Sequence, residues 1–203
     1  MLPANIDPEI IERTVDQRVY LRGVSWDDFE KLLAIKGDDL VPRVAYLEGT
    51  LELMTPSQDH EALKTRIARL LEASAEELGI ELEGIGSWTL KRQREKRGVE
   101  PDECYSIGRV RAKMPDLAIE VNWTSGGIDK LDIYRGLGVR EIWMWDQGQI
   151  VVFALRGAAY ERLTRSEILP QLDIGLIQSA LDAPTQTAAV RELRLQLRNT
   201  RPK

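Results

Sequence analysis

The chain has 203 residues, 43% of them hydrophobic and 30% charged, a formal net charge of −5, one cysteine and one histidine. That length suits one packed domain and is short for two, and the balance of apolar and charged residues is not that of a disordered chain. A lone cysteine rules out an internal disulfide or a Cys-rich zinc centre, no apolar run reaches the roughly 20 residues that span a bilayer, and the acidic balance counts against a protein that coats nucleic acid by neutralising many phosphates.

Residues 1–22 read as an extended or poorly ordered lead-in, with early acids and no apolar stretch of secretory type, so a cytoplasmic protein is expected. Ser25 and Asp28 have the form of a capping box; Phe29, Leu32 and Leu33 share a face, and Gly37 closes that helix. Residues 43–54 read as a hairpin turning at Glu48-Gly49-Thr50. The longest helix has start signals at Pro56, Ser57 and Asp59, stops at Gly79, and aligns Leu63, Ile67, Leu70, Leu71 and Leu78 in one stripe.

Three strands are expected next, at 80–90, 102–107 and 117–123, then a helix at 128–137 closed by Gly138. Apolar β-rich runs follow at 141–145, 150–155 and 160–163, Ser166 is placed to cap a short helical region, and residues 187–199 alternate Arg and Leu at helical spacing. That last stripe suits a docking helix or a homodimer contact. The organisation expected is a lead-in (1–22), one domain (23–180) and a helical tail (181–203). A helical crossover between the strands at 117–123 and 141–145 makes those two parallel, whereas short loops make the earlier neighbours antiparallel. The fold class is therefore α/β, a mixed sheet flanked by helices with the order α-β-β-β-α-β.

Two segments carry the chemistry, EPDECYSI at 100–107 and PDLAIEVN at 115–122. Antiparallel pairing brings Asp102 opposite Glu120. Asp116 shares the face of Glu120 but stands roughly 13 Å along the strand at about 3.3 Å per residue, too far to share one metal. Glu120 is flanked by Leu117, Ala118, Ile119 and Val121, where a carboxylate is costly unless paired or bound to a metal. A structural salt bridge would satisfy Glu120 alone; with Asp102 opposite, the pair is an oxygen donor set that suits Mg²⁺ or Mn²⁺. Lys130, on the helix after Glu120, either reaches back to the strand end to stabilise phosphate charge or is a solvated helix lysine beside Asp129 and Asp132.

Other features admit two readings each. The basic groups Lys91, Arg92, Arg94, Lys96, Arg97 and Arg109, Arg111, Lys113 are solvated loops or a substrate-facing patch. Trp88, Trp123, Trp143 and Trp145 could stack bases, but their strand positions favour core packing, and Cys104 reads as a small buried hydrophobe.

The run EPDECYSIG, then PDLAIEVNWTSGGIDKLDIYRGLGVREIWMWD, resembles the Uma-two family of endonucleases, within the PD-(D/E)xK restriction-endonuclease-like superfamily. YLEGTLELMTPSQDHE resembles that family's upstream hairpin and helix start, and the likeness spans roughly residues 20 to 175. It implies a restriction-endonuclease-like core, Asp102 and Glu120 as metal ligands, and nucleic acid, DNA in the first instance, as substrate. The usual ExK lysine would stand at 122, which is Asn here; the resemblance places it instead at Lys130. It also raises Glu48, in the hairpin corner, as an acid facing the site, against a plain turn acid in solvent. His60, at the start of the long helix, would contact the metal site or a phosphate, against a simple surface histidine.

The activity expected is Mg²⁺- or Mn²⁺-dependent hydrolysis of phosphodiester bonds. Two rivals stand beside it: a non-catalytic binding or regulatory protein on a nuclease fold, favoured by the acidic charge and by Asn122, and a small phosphate-ester hydrolase. No membrane partner is expected.

Overall fold

The computed structural model describes residues 14–108, 113–122 and 127–200. Strand β1 (Gln17–Arg22) is followed by α1 (Trp26–Lys36), β2 (Arg43–Leu47), β3 (Thr50–Thr55), α2 (Gln58–Leu78), β4 (Leu82–Gly84), β5 (Leu90–Arg92), β6 (Arg97–Val99), β7 (Glu103–Ile107) and β8 (Leu117–Asn122). Then come α3 (Lys130–Leu137), β9 (Glu141–Asp146), β10 (Gln149–Arg156), β11 (Ala159–Leu163), α4 (Ile174–Ala180) and α5 (Gln186–Thr200). The expected order α-β-β-β-α-β is present as α2, β4, β7, β8, α3, β9. No helix among the described residues is long and apolar enough to cross a membrane.

Local chemistry sets the helix ends. Ser25 Oγ accepts the Asp28 N–H at 3.1 Å and Ser57 Oγ accepts the His60 N–H at 3.2 Å, satisfying donors that the first turn leaves without a partner. Gly79 ends α2 in the left-handed conformation that glycine adopts without steric cost.

The strands form two sheets where the sequence suggested one. Strands β11-β10-β9-β8-β7-β4 make a mixed sheet in which only β8 and β9 run parallel, joined by α3. An all-antiparallel sheet, β1-β3-β2-β6-β5, lies across one face of it. Residues 80–90 were expected as one strand. They divide at Gly86, whose φ of 72° breaks the extended run, so β4 joins the mixed sheet and β5 the antiparallel one. Of the two readings of the lead-in, residues 17–22 take the extended one, and they pair along β3 throughout. Ser166 Oγ accepts the Leu169 N–H in a turn; the helix that follows is capped by Asp173.

Three apolar clusters hold these layers together. Ile67, Leu70 and Leu71 of α2 pack with Ile119, Val121, Trp143 and the buried Ala189, Leu193 and Leu197 of α5, so the terminal helix docks on its own chain. On the other face of the mixed sheet, Cys104, Ala118 and Ile142 meet Ile133, Tyr134 and Leu137 of α3 and Ala45, Leu90 and Val99 of the second sheet. Phe29 of α1 packs under Val44, Tyr46 and Leu51. Two close approaches require glycine: a Cβ on Gly98 would meet the Phe29 ring at 2.6 Å, and one on Gly136 would meet Arg97 Cδ at 2.1 Å. The second lets the Arg97 side chain lie across α3. Trp143 is fully buried and Trp145 packs on the core, but Trp88 stands in a loop and is 41% exposed, contrary to the core reading.

Candidate active site

Strand β8 is buried from Leu117 to Val121 because helices cover one face and the second sheet the other. Alternation sends Leu117, Ile119 and Val121 towards α2, and Ala118 and Glu120 towards α3. Glu103 pairs with Ile119 and Cys104 with Ala118, so the same register, continued by one residue, sets Asp102 opposite Glu120. Asp116 is buried at the far end of the strand, where it accepts the Ile107 N–H at 3.0 Å and meets Arg140 at 3.3 Å.

Asp102 is fully buried among cations. Its Oδ1 pairs with Arg43 Nη1 and lies 3.1 Å from His60 Nε2, while Oδ2 accepts the Val121 N–H at 2.7 Å. His60 Nε2 and Asp102 form a buried ion pair at that distance. On the other side of the imidazole, Nδ1 meets Asp16 Oδ2 at 3.1 Å, and Asp16 in turn accepts the Ser57 N–H at 2.9 Å. Arg43 continues the chain to Glu61 at 2.6 Å. Burial alone would raise the Asp102 carboxyl; His60, Arg43 and Lys130 outweigh it and hold it well below the usual carboxylate range. Burial would likewise discharge His60, but Asp102 and Asp16 push it up to about 9, so the imidazole is a cation at neutral pH. His60 is therefore not the surface residue its place at a helix start suggested: the cap at Ser57 turns the first turn of α2 inwards.

Glu120 is gripped by one helix. Asp129 caps α3 by accepting the Asp132 N–H at 3.0 Å, and the two residues Lys130 and Tyr134, four apart on one face, take one carboxylate oxygen each. Lys130 Nζ lies 2.5 Å from Oε2, and the Tyr134 hydroxyl donates to Oε1. Burial and the nearby Asp102 raise the Glu120 carboxyl despite the ammonium of Lys130. Buried Asp16, Glu52, Glu100, Asp102, Asp116 and Glu141 each accept a backbone N–H. Glu120, among the described residues, has only side-chain partners.

A cavity of about 210 Å³ opens beside this cluster, lined among others by Arg18, Glu52, Glu120, Asn122, Asp129 and Lys130. Glu52 escaped the sequence reading. It is buried on β3 opposite Ala45 and Tyr20, and its Oε2 accepts the Ile128 N–H at 3.1 Å, tying the approach to α3 to the second sheet. The available signal was an acid at the centre of an otherwise apolar strand, Leu51-Glu52-Leu53-Met54.

The structure thus brings together Asp102, Glu120, Lys130 and His60, and leaves Glu48 out. Glu48 sits in the hairpin turn with φ 47°, its side chain 63% exposed and 3.1 Å from Arg97. Arg97 also pairs with Asp132 of α3, so Glu48 stands near that helix but does not line the cavity. The first basic group is largely tied up within the protein: Lys91 pairs with Glu30, Arg92 donates to the Gly136 carbonyl, and Arg97 pairs with Asp132. Arg109, Arg111 and Trp123 lie outside the described residues. Cys104 is buried, and burial pushes its thiol up to about 12, which makes it inert at neutral pH.

The donor chemistry fits a hard divalent cation. Among the described residues no three carboxylate, imidazole or thiolate side chains converge to form a cage, but Mg²⁺ is commonly held by one or two carboxylates with water and substrate phosphate. Glu120 and Glu52 line the cavity, whereas Asp102 does not and has its two oxygens engaged by Arg43 and the Val121 N–H.

The sequence profile of the Uma2 family, described as "Putative restriction endonuclease", matches residues 26–186. No curated protein shows significant similarity to the chain. A solved structure described as "a putative nuclease belonging to DUF820", from Anabaena variabilis ATCC 29413, is similar over 84% of this chain and 99% of its own, at 18% identity and a TM-score of 0.48.

Proposed function

The chain belongs to the Uma2 family, and on that premise we propose that it is a divalent-metal-dependent nuclease acting on DNA, with Asp102, Glu120 and Lys130 as its active centre. The observation that carries this reading is a buried carboxylate pair on neighbouring strands, with an ammonium on the member that faces the cavity. A buried Glu120 with only side-chain partners among the described residues costs stability that a purely structural acid would not.

Asp102 and Glu120 would hold Mg²⁺ or Mn²⁺, which supplies a polarised phosphate and an activated water when bound. Lys130 replaces the strand lysine of the usual motif. Its side chain is 17% exposed and borders the cavity, so its charge faces the place where negative charge develops on a phosphate. Glu120 and Asp102 raise its affinity for the proton above that of an ordinary lysine despite burial, so it stays protonated. Arg43 and His60 keep Asp102 ionised and oriented; they do not border the cavity.

Purified protein should nick supercoiled DNA in the presence of Mg²⁺ or Mn²⁺, and Glu120→Gln and Lys130→Met should each lower the rate at least 100-fold while melting as cooperatively as the parent. Equal rates in parent and variants would refute the assignment. A second reading, a non-catalytic binding protein on the same fold, is favoured by one observation: both oxygens of Asp102 already have internal partners. It predicts no nicking at any metal concentration and no Mn²⁺ heat in calorimetry.

A further inference from the structure

Glu120 has two partners, and they differ in what they can do. Lys130 is charged, partly exposed and borders the cavity. Tyr134 is fully buried, lies one turn deeper on α3, and packs between Cys104, Ala118 and Ile142. An ammonium facing a cavity can be drawn away by an incoming phosphate. A phenol enclosed in the core cannot move, and as a neutral donor it has no electrostatic reason to. If Lys130 were the sole partner, its departure would strand a charge in the interior, and an isolated buried carboxylate is among the most expensive groups a protein can hold.

We propose that Tyr134 is a positioning residue of this site: its hydroxyl fixes Glu120 through Oε1 and keeps the carboxylate compensated while Lys130 leaves Oε2 to meet the substrate. This rests on the roles given above to Glu120 and Lys130. The helix is suited to the task at both ends. Its approach is tied to the second sheet through the Ile128 N–H and Glu52, and Gly136 lets Arg97 lie against it and reach Asp132 at 3.0 Å. With α3 clamped, the Tyr134 hydroxyl cannot follow Lys130 into the cavity.

The test uses the full chain as Tyr134→Phe, Lys130→Met and the double variant, without metal or substrate first. The unfolding equilibrium constant of the double variant should exceed the product of the two single effects fivefold or more, because only the double variant strands Glu120. Effects that simply multiply would overturn the proposal, whether or not the parent cleaves DNA. Fivefold coupling in a parent that neither cleaves DNA nor binds Mn²⁺ would instead sustain the positioning role and sink the nuclease reading. In an active parent, Tyr134→Phe should lower kcat at least tenfold with KM within twofold, and weaken Mn²⁺ binding about tenfold, the range seen when outer-shell partners of metal ligands are removed. Unchanged kcat and Mn²⁺ affinity would show that the phenol only fills space.

Discussion

Asp102 and Glu120 face each other across two strands and are almost equally buried, yet their surroundings push their carboxyls in opposite directions. Asp102 has Arg43, His60 and a backbone N–H, and stays ionised far into acid. Glu120 has one ammonium and one phenol, and its proton affinity rises. Burial alone therefore does not decide the state of either acid; the number of fixed cations around each does. Asp102 is built into the fold, whereas Glu120 is held by a helix that borders a cavity. The two should respond differently to the same kind of mutation.

The largest effect should come from Asp102→Ala. It leaves Arg43 and His60 as buried cations without their shared anion, and breaking such a pair costs about 3–5 kcal/mol, read as a shift in denaturant midpoint. Loss of cleavage in this variant would therefore say little about catalysis. Next in size is the titration of His60. Its proton affinity is raised in the folded state to about 9 from 6.5, so its contribution, about 3 kcal/mol, is complete below the unfolded value and is lost as pH rises through the folded one. Unfolding free energy should fall between pH 7 and 10 in the parent, and His60→Gln should flatten that decline; equal slopes would contradict the ion pairs at His60. Asp16 and Asp102 have lowered values, and their contributions, present above the unfolded carboxylate range, should be lost as pH falls.

Glu120→Gln should cost about 1 kcal/mol or less. Ionised Glu120 is disfavoured by burial, the amide still accepts from Tyr134, and Lys130 can turn into the cavity. A loss as large as that of Asp102→Ala would erase the contrast between the two acids. Glu48→Ala should be the smallest change, within about 0.5 kcal/mol and without effect on cleavage, as for exposed side chains generally. A loss of cleavage there would restore Glu48 to the site.

Much of this contrast could be read before any coordinates. The opposed acids follow from strand alternation and a short antiparallel connection, and the parallel β8–β9 pair follows from an intervening helix, because both are rules of near neighbours in sequence. What escaped depends on distance along the chain. Asp16 reaches His60 across 44 residues and Arg43 reaches Asp102 across 59, and no periodicity reports such meetings. Strands β5 and β6 are three residues each in a basic segment and owe their existence to pairing with each other and with β2. The second sheet, and with it the wall that carries Glu52, was hidden for the same reason. Glu48 and Glu52 are both acids of one hairpin; only the pairing register separates the turn residue from the one facing the cavity.

The role of Glu120 as a metal ligand is decided by calorimetric titration of Mn²⁺ into the parent and Glu120→Gln, with matched melting curves. The parent should bind Mn²⁺ and the variant should lose at least tenfold in affinity, with the fold intact. Equal affinity in both proteins would show that Glu120 holds no metal, and the site proposed here would be wrong.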